Sequence, residues 1–308
     1  MSRPAPAAAI VMAGATGHVG AALLRRLVDE GRRVGCIARY ATKLGSMLDV
    51  VELFQADLRD DAAVRAAFED GAVAYFLVHA LSAGASLAEE ERRLAENFAR
   101  AARATGAARI VYLGGLVDET DAELSDHMSS RVEVGRVLRE SGVQTLEFRA
   151  SIVIGAGSFS FELIRRLVQW VPVIALPDWT DNLAQPIALG DVVSYLAAAA
   201  DAEVDGSAVF EIGGGEQITY RGLIDAYARA VDARRLTVPI PLPDAAADGA
   251  QRLAAPLAEL LPGEAQETLK LLQSLRHSTV VRDASADRFG VRPLGVEAAI
   301  AAALRDER

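Results

Sequence analysis

The first 150 residues alternate short apolar runs with amphipathic stretches. Runs at Ala8–Ala13, Arg33–Ala38, Val50–Gln55, Ala74–Val78, Arg109–Leu113 and Thr145–Ala150 predict strands, the last running on into Ser151–Ile154. Between them, Gly20–Glu30, Ala62–Phe68, Leu87–Thr105 and Ser130–Ser141 space their apolar positions as helices do. Gly31, Gly71, Gly106 and Gly142 each stand where a left-handed C-cap stops a helix. Strands that recur with a helix between each pair predict a parallel, doubly wound α/β sheet of the Rossmann kind.

After Gly155 the pattern loosens. Phe159–Val171 predicts an apolar helix, and Val171-Pro172-Val173 begins a loop around Pro177-Asp178-Trp179. Asp191–Ala200 reads as a helix capped by its Asp, Val209–Ile212 as a short strand, and Thr219–Ala230 as a helix begun by Thr219. Residues 243–276 read as helix broken at Pro256 and Pro262. The expected division is a domain over residues 1–155, which the glycine-rich stretch Gly14–Gly20 after the first strand marks as dinucleotide-binding, and a smaller, mainly helical substrate lobe over 156–308. That lobe interleaves with the sheet edge and covers the carboxyl ends of the strands, where such folds bind ligands.

The stretch Gly14-Ala15-Thr16-Gly17-His18-Val19-Gly20 joins the first predicted strand to the first helix. Gly14 permits the tight turn, Gly17 lets the backbone approach a pyrophosphate, and Gly20 lets the helix pack closely on the sheet. The helix N-terminus offers unpaired N–H groups to the phosphates. Cofactor contacts are therefore expected from Gly14, Thr16, Gly17, His18, Val19 and Gly20, with His18 acting through its backbone N–H. The second predicted strand runs into Arg39, with Lys43 shortly after and no acid nearby. A basic side chain at that place accommodates the 2′-phosphate, which points to NADP(H) rather than NAD. Asp57-Leu58, after the third strand, is placed to meet the adenine; Asp57 is alternatively a cap for the helix that follows. His79 follows the fourth strand, where the nicotinamide half of the cofactor passes. It either contacts ligand there or is a hydrogen-bonded histidine at a strand end.

Composition narrows the function classes. A formal net charge of −10 leaves no basic surplus for a nucleic-acid backbone. The two lysines, Lys43 and Lys270, restrict lysine chemistry to those positions. Cys36 lies in a predicted buried strand as a packing thiol, and the four scattered histidines suggest no metal site. Nothing has the layout of a signal peptide or reaches membrane-spanning length, so a cytoplasmic soluble enzyme with a small-molecule substrate is expected. Phe159, Phe161, Trp170 and Trp179 follow the sixth strand as a pocket lining for a flat or apolar substrate, as core, or as a homodimer face.

The chain resembles the short-chain dehydrogenase/reductase superfamily in its extended and atypical branches. The resemblance rests on Gly14–Gly20, Asp57-Leu58, Ile110–Leu116 and Phe148–Gly155. Within that superfamily it is most similar to nucleoside-diphosphate-sugar epimerase-like proteins and relatives of the nitrogen-metabolite-repression regulator. Tyr112–Leu116, Gln185-Pro186-Ile187 with Asp191-Val192, and Ser274-Leu275-Arg276-His277 match recurrent motifs there. The resemblance implies a Ser with a Tyr-x-x-x-Lys pair, and the chain departs from this. None of its six tyrosines has a lysine four residues on, and Gly114-Gly115 fall where the serine is expected. Where the Tyr-x-x-x-Lys helix begins, the chain has His127-Met128-Ser129-Ser130-Arg131. This spacing puts His127 and Arg131 on one helical face, an imidazole to trade a proton and a guanidinium to hold a ribose or phosphate. The alternative leaves His127 without chemistry near a helix N-terminus. Two readings from different classes follow. One is an NADPH-dependent reductase of a small carbonyl, enone or similar apolar substrate; the other is a non-catalytic NADP(H)-binding redox sensor or assembly factor. A sugar-nucleotide epimerase or dehydratase is weaker, because the tyrosine base is missing.

Overall fold

The computed structural model describes residues 9–79, 85–117, 125–240 and 277–307. Seven parallel strands form its central sheet: β1 (Ile10–Ala13), β2 (Val34–Ala38), β3 (Glu52–Gln55), β4 (Val73–Phe76), β5 (Arg109–Gly115), β6 (Thr145–Ala150) and, from the second half of the chain, Ala208–Ile212. Across the sheet the order is Ala208–Ile212, β6, β5, β4, β1, β2, β3. The order reverses between β1 and β4, which opens the crevice at their carboxyl ends. Helices α1 (His18–Asp29), α2 (Asp61–Arg65), α3 (Ala85–Ala104) and α4 (Asp126–Arg139) connect these strands. Both faces are covered. One core contains Met12, Leu23, Leu27, Tyr75 and Phe148; the other contains Val11, Phe76, Phe98, Ile110 and Leu138. Strands buried on both faces explain the near-continuous apolar runs of β1, β2 and β4.

The second half adds α5 (Phe159–Trp170), α6 (Leu189–Ala198), α7 (Tyr220–Ala230) and α8 (Val296–Asp306). Among the described residues, six further strands pair two by two outside the central sheet. Val153–Ile154 pairs with Ile187–Ala188, Leu183–Ala184 with Ile218–Thr219, and Val173–Pro177 with Leu236–Ile240. Two expectations need correction here. The loop expected from 171 contains the strand Val173–Pro177, paired in parallel with Leu236–Ile240. Its short apolar run is bounded by Pro172 and Pro177, and its partner lies far away in sequence. Helix α6 begins two residues before Asp191, and Ala188 occupies its N-cap position without a side-chain bond. Asp191 instead accepts a hydrogen bond from the backbone N–H of Leu294 at 2.8 Å, tying α6 to the segment before α8. The helical reading of 243–276 lies outside the described residues.

Thr219 does cap α7, accepting from Gly222 N–H at 2.9 Å. Phe161 is buried against Tyr227, while Trp170 is exposed and stacked under Arg166. Phe161 is therefore core, and Trp170 is solvent-facing in this chain.

Candidate cofactor and active site

The turn from β1 to α1 is made by three glycines with different constraints. Gly14 has φ +93°, and a Cβ there would stand 2.4 Å from the carbonyl oxygen of Leu77 after β4. A Cβ on Gly20 would stand 2.0 Å from the carbonyl oxygen of Gly14. Gly20 thus admits the turn itself onto the helix, rather than the helix onto the sheet as expected. Gly17 is the N-cap of α1, with extended backbone and no side-chain cap, and the first turn carries no acid. The first N–H groups of α1 consequently face the crevice with positive dipole and no competing carboxylate. Thr16 is exposed, and Val19 is half-buried against the core.

His18 opens α1. Its imidazole lies where Gly155 and Gly157 leave no side chain: a Cβ on Gly155 would be 3.1 Å from Nε2, and one on Gly157 would be 3.6 Å from Nδ1. Burial holds the ring's pKa below its usual value, so the neutral form is favoured. The side chain therefore packs the phosphate turn against the turn after β6, a role beyond the backbone donor expected from sequence.

At the end of β2, Arg39 and Tyr40 are exposed. The Arg39 guanidinium carbon and the Lys43 ammonium stand 5.9 Å and 5.7 Å from the Tyr40 ring centroid. Two cations and an aromatic ring thus share one place at the crevice's adenosine side. Asp57 accepts from the backbone N–H of Arg59 at 3.0 Å. Helix α2 is capped by Asp60, which accepts from Ala63 N–H at 3.1 Å, so the capping alternative for Asp57 is overturned. Leu58 is buried in the core. His79, past the end of β4, lies edge-on to Tyr112 with ring centroids 6.2 Å apart.

Gly114 and Gly115 close β5 beneath α4. A Cβ on Gly115 would meet the Met128 Cε at 2.5 Å and the Arg131 Cδ at 3.4 Å. The place of the expected serine is therefore filled from α4. His127 and Arg131 both belong to α4, one helical turn apart, and the His127 side chain lies outside the described residues. Ser125 caps this helix by accepting from Met128 N–H. Tyr112, buried in β5, donates to the Arg131 carbonyl at 3.1 Å, and Ser130 donates to the buried carboxylate of Glu91 on α3. Glu147 on β6 is 1% exposed and pairs with Arg139 of α4 and, at 2.7 Å, with Arg149. This polar row was missed in the sequence: Thr145, Glu147 and Arg149 alternate along a strand read as buried, and that alternation was its signal.

Cys36 is buried, and burial pushes its thiol up to about 12, away from nucleophilic use. Among the described residues no group of three or more His, Cys, Asp or Glu is placed to hold a metal ion. No described helix is long and apolar enough to cross a membrane. A groove of about 480 Å³ lies along the C-terminal half of α1, lined by Arg26, Glu30, Asp191, Ser194, Asp201 and Arg292. It is remote from the α1 N-terminus.

Residues 14–151 match the model of the NAD(P)H-binding family. Comparison with curated proteins finds no match. Among solved structures, the chain is similar to Citrobacter sp. triphenylmethane reductase complexed with NADP(H), at 14% identity and a TM-score of 0.76, covering 96% of this chain and 99% of that one. A nucleoside-diphosphate-sugar epimerase from Staphylococcus aureus is 15% identical with a TM-score of 0.73, over 94% and 98% of the two chains. The Bordetella bronchiseptica enzyme WbmG in complex with NAD gives 15% and 0.73, over 99% and 95%. At these identities the likeness is one of fold, and it extends over nearly the whole chain. With the glycine turn, the reversal of strand order and the family match in agreement, residues 14–151 are an NAD(P)H-binding domain of the Rossmann kind.

Proposed function

We propose that the protein is an NADPH-dependent reductase of a small carbonyl, enone or similar apolar substrate. The observation that carries the cofactor choice is the cationic end of β2, where Arg39 and Lys43 flank Tyr40. A 2′-phosphate there gains charge-assisted hydrogen bonds that NADH cannot offer. Gly14, Thr16, Gly17, His18, Val19 and Gly20 hold the pyrophosphate, Asp57 and Leu58 border the adenine, and His79 borders the nicotinamide half. Bound NADPH supplies hydride. His127 is assigned as proton donor and Arg131 as its electrostatic partner on α4. The division at residue 155 into cofactor domain and substrate lobe, and a cytoplasmic location, belong to the same reading. The fold is shared by reductases and sugar epimerases alike, and it is the missing tyrosine base that weighs against an epimerase.

The sensor reading is favoured by one observation. Met128 fills the place of the catalytic serine at Gly115, so the superfamily's proton machinery is displaced from α4 and β5 together. One experiment separates the two. Purified protein is titrated with NADPH and NADH by nucleotide fluorescence, then NADPH oxidation is followed over aldehydes, quinones and enones. Selective NADPH binding with turnover is expected; selective binding without turnover of any acceptor selects the sensor. Equal affinity for the two nucleotides overturns the cofactor assignment.

A further inference from the structure

We propose that the outward face of the parallel pair Val173–Pro177 and Leu236–Ile240 docks on an anionic lipid surface. Trp170 and Leu236 enter the interface, and the arginines around them meet the headgroups. The proposal stands independently of the cofactor reading above.

Parallel strands are ordinarily covered on both faces. This pair is covered on one. Ile174 and Leu176 are buried in the core that also holds Phe161, Leu223 and Tyr227. On the other face Val173 is 51% exposed, and its register neighbour Leu236 is 61% exposed. Val238 is exposed two residues along, and the exposed Pro172 and Pro239 extend the apolar edge. Trp170 stands beside them at the end of α5, which is tied to the start of the second strand. Leu236 N–H donates to the Pro172 carbonyl at 3.2 Å, and the Arg235 guanidinium donates to the carbonyls of Val168 and Gln169. Trp170, Val173, Leu236 and Val238 are half of the large apolar side chains that the described residues expose, gathered at one place. Such side chains scattered singly need no explanation; a contiguous group marks an interaction surface.

The charge at this end selects the occupant. Arg166 lies over the Trp170 ring, 5.3 Å from its centroid, and shares a single carboxylate, Glu162, with Arg165. Arg234 is exposed, and Arg235 spends its donors on backbone carbonyls, which leave its charge in place. These four arginines stand against Glu162 and the exposed Asp232, in a chain whose formal net charge is −10. The acids elsewhere act weakly here, because exposed charges beyond a Debye length of about 8 Å are screened. Asp178 is exposed at the far end, beyond Pro177, so Trp170 and Leu236 lead the contact.

The strip falls well short of a stable protein interface, which takes roughly 20–30 residues a side. A bilayer asks for less. Its fluid chains remove apolar side chains from water without matching their shape, and anionic headgroups attract each arginine. A tryptophan, apolar over its ring and polar at its N–H, suits the boundary between the two.

The chain has two tryptophans, so Trp179→Phe leaves Trp170 as the reporter. Its emission and its quenching by acrylamide are followed as vesicles of phosphatidylcholine, with or without phosphatidylglycerol, are added. Bound protein is measured by sedimentation. Trp170 is expected to be open to acrylamide at first, then shielded and blue-shifted on the anionic vesicles, with about 10-fold weaker binding to neutral ones. Leu236→Ser and Arg234→Glu, both at exposed positions, are each expected to weaken binding by about 5-fold or more with wild-type thermal unfolding. Absence of sedimentation with anionic vesicles overturns the proposal, as does binding that both variants retain. Trp170 shielded before vesicles are added overturns it too. Shielding that grows with protein concentration then assigns the face to a second copy, and shielding independent of concentration assigns it to another part of the same chain.

Discussion

The α-carbon of Gly20 faces the carbonyl oxygen of Gly14 so closely that a methyl group on it would stand 2.0 Å away. Backbone cannot retreat as a flexible side chain does. Gly20→Ala is expected to destabilise by about 3 kcal/mol, the upper part of the range for overpacking. Gly31, after α1, has φ +73° but nothing within 4 Å of its absent side chain. Gly31→Ala should cost about 1 kcal/mol, from backbone conformation alone. Urea unfolding of the two variants gives the comparison, and a smaller loss for Gly20→Ala than for Gly31→Ala contradicts this account of the turn.

That contrast also marks how far the residues could be read without the structure. The alternation of apolar runs with helical spacing yields the sheet because β1, β2 and β4 are buried on both faces, and only continuous apolar residues serve there. Glycines at positive φ punctuate the helices for a local reason. The contacts that complete the site are not local. Gln185 meets Val281, Ser151 meets Thr279, and Asp191 meets Leu294, across separations that no spacing rule covers. Gly115 looked like a missing serine; only the packing of Met128 reveals that a side chain from another element takes the space.

That packing has a consequence for restoring the superfamily's serine. Gly115→Ser alone is expected to force the Met128 thioether aside and to cost about 1–3 kcal/mol. Because the obstruction is the end of a flexible side chain, Gly115→Ser with Met128→Ala should recover part of that loss. Thermal unfolding of the single and double variants measures the coupling, and additive losses would show that Met128 is not the obstruction.

The Glu147 carboxylate anchors α4 to β6 between Arg139 and Arg149 with 1% of its side chain exposed. Removing it leaves two arginines facing each other in a buried setting. Glu147→Ala is expected to destabilise by about 3–5 kcal/mol, the penalty of an uncompensated buried charge. Gly135, whose absent Cβ would meet the Glu147 carboxylate oxygen at 2.5 Å, should tolerate Ala poorly for a different reason, because the added methyl would strike a carboxylate held in place by two arginines. Denaturant midpoints for both variants decide it; a loss under 1 kcal/mol for Glu147→Ala would mean that the pair contributes little.

Burial of His18 favours its neutral form, so the folded chain holds this proton less tightly than the unfolded chain does. Where the unfolded state binds more protons, stability rises with pH. The contribution is fully present above the unfolded value of 6.5 and is lost as pH falls from there through the lower folded value. His18→Gln, which keeps a polar side chain between Gly155 and Gly157 without a titrating group, is expected to flatten stability in that window. Unfolding free energies from pH 8 down to pH 5 for wild type and variant test this, and parallel curves would remove His18 from the pH response.

The assignment of His127 separates chemistry from binding. His127→Asn removes the titrating group but retains a polar side chain on α4, so NADPH affinity should stay within about 2-fold while turnover of a responsive acceptor falls by 10²-fold or more, the usual worth of a positioned proton donor. Arg131→Ala should weaken NADPH binding as well, because a ribose or phosphate contact is lost with the guanidinium. Unchanged turnover in His127→Asn transfers the proton to solvent, in which case the reductase works by hydride delivery and orientation alone. Loss of NADPH binding in that variant would instead make His127 part of the cofactor site, and α4 a binding element rather than a catalytic one.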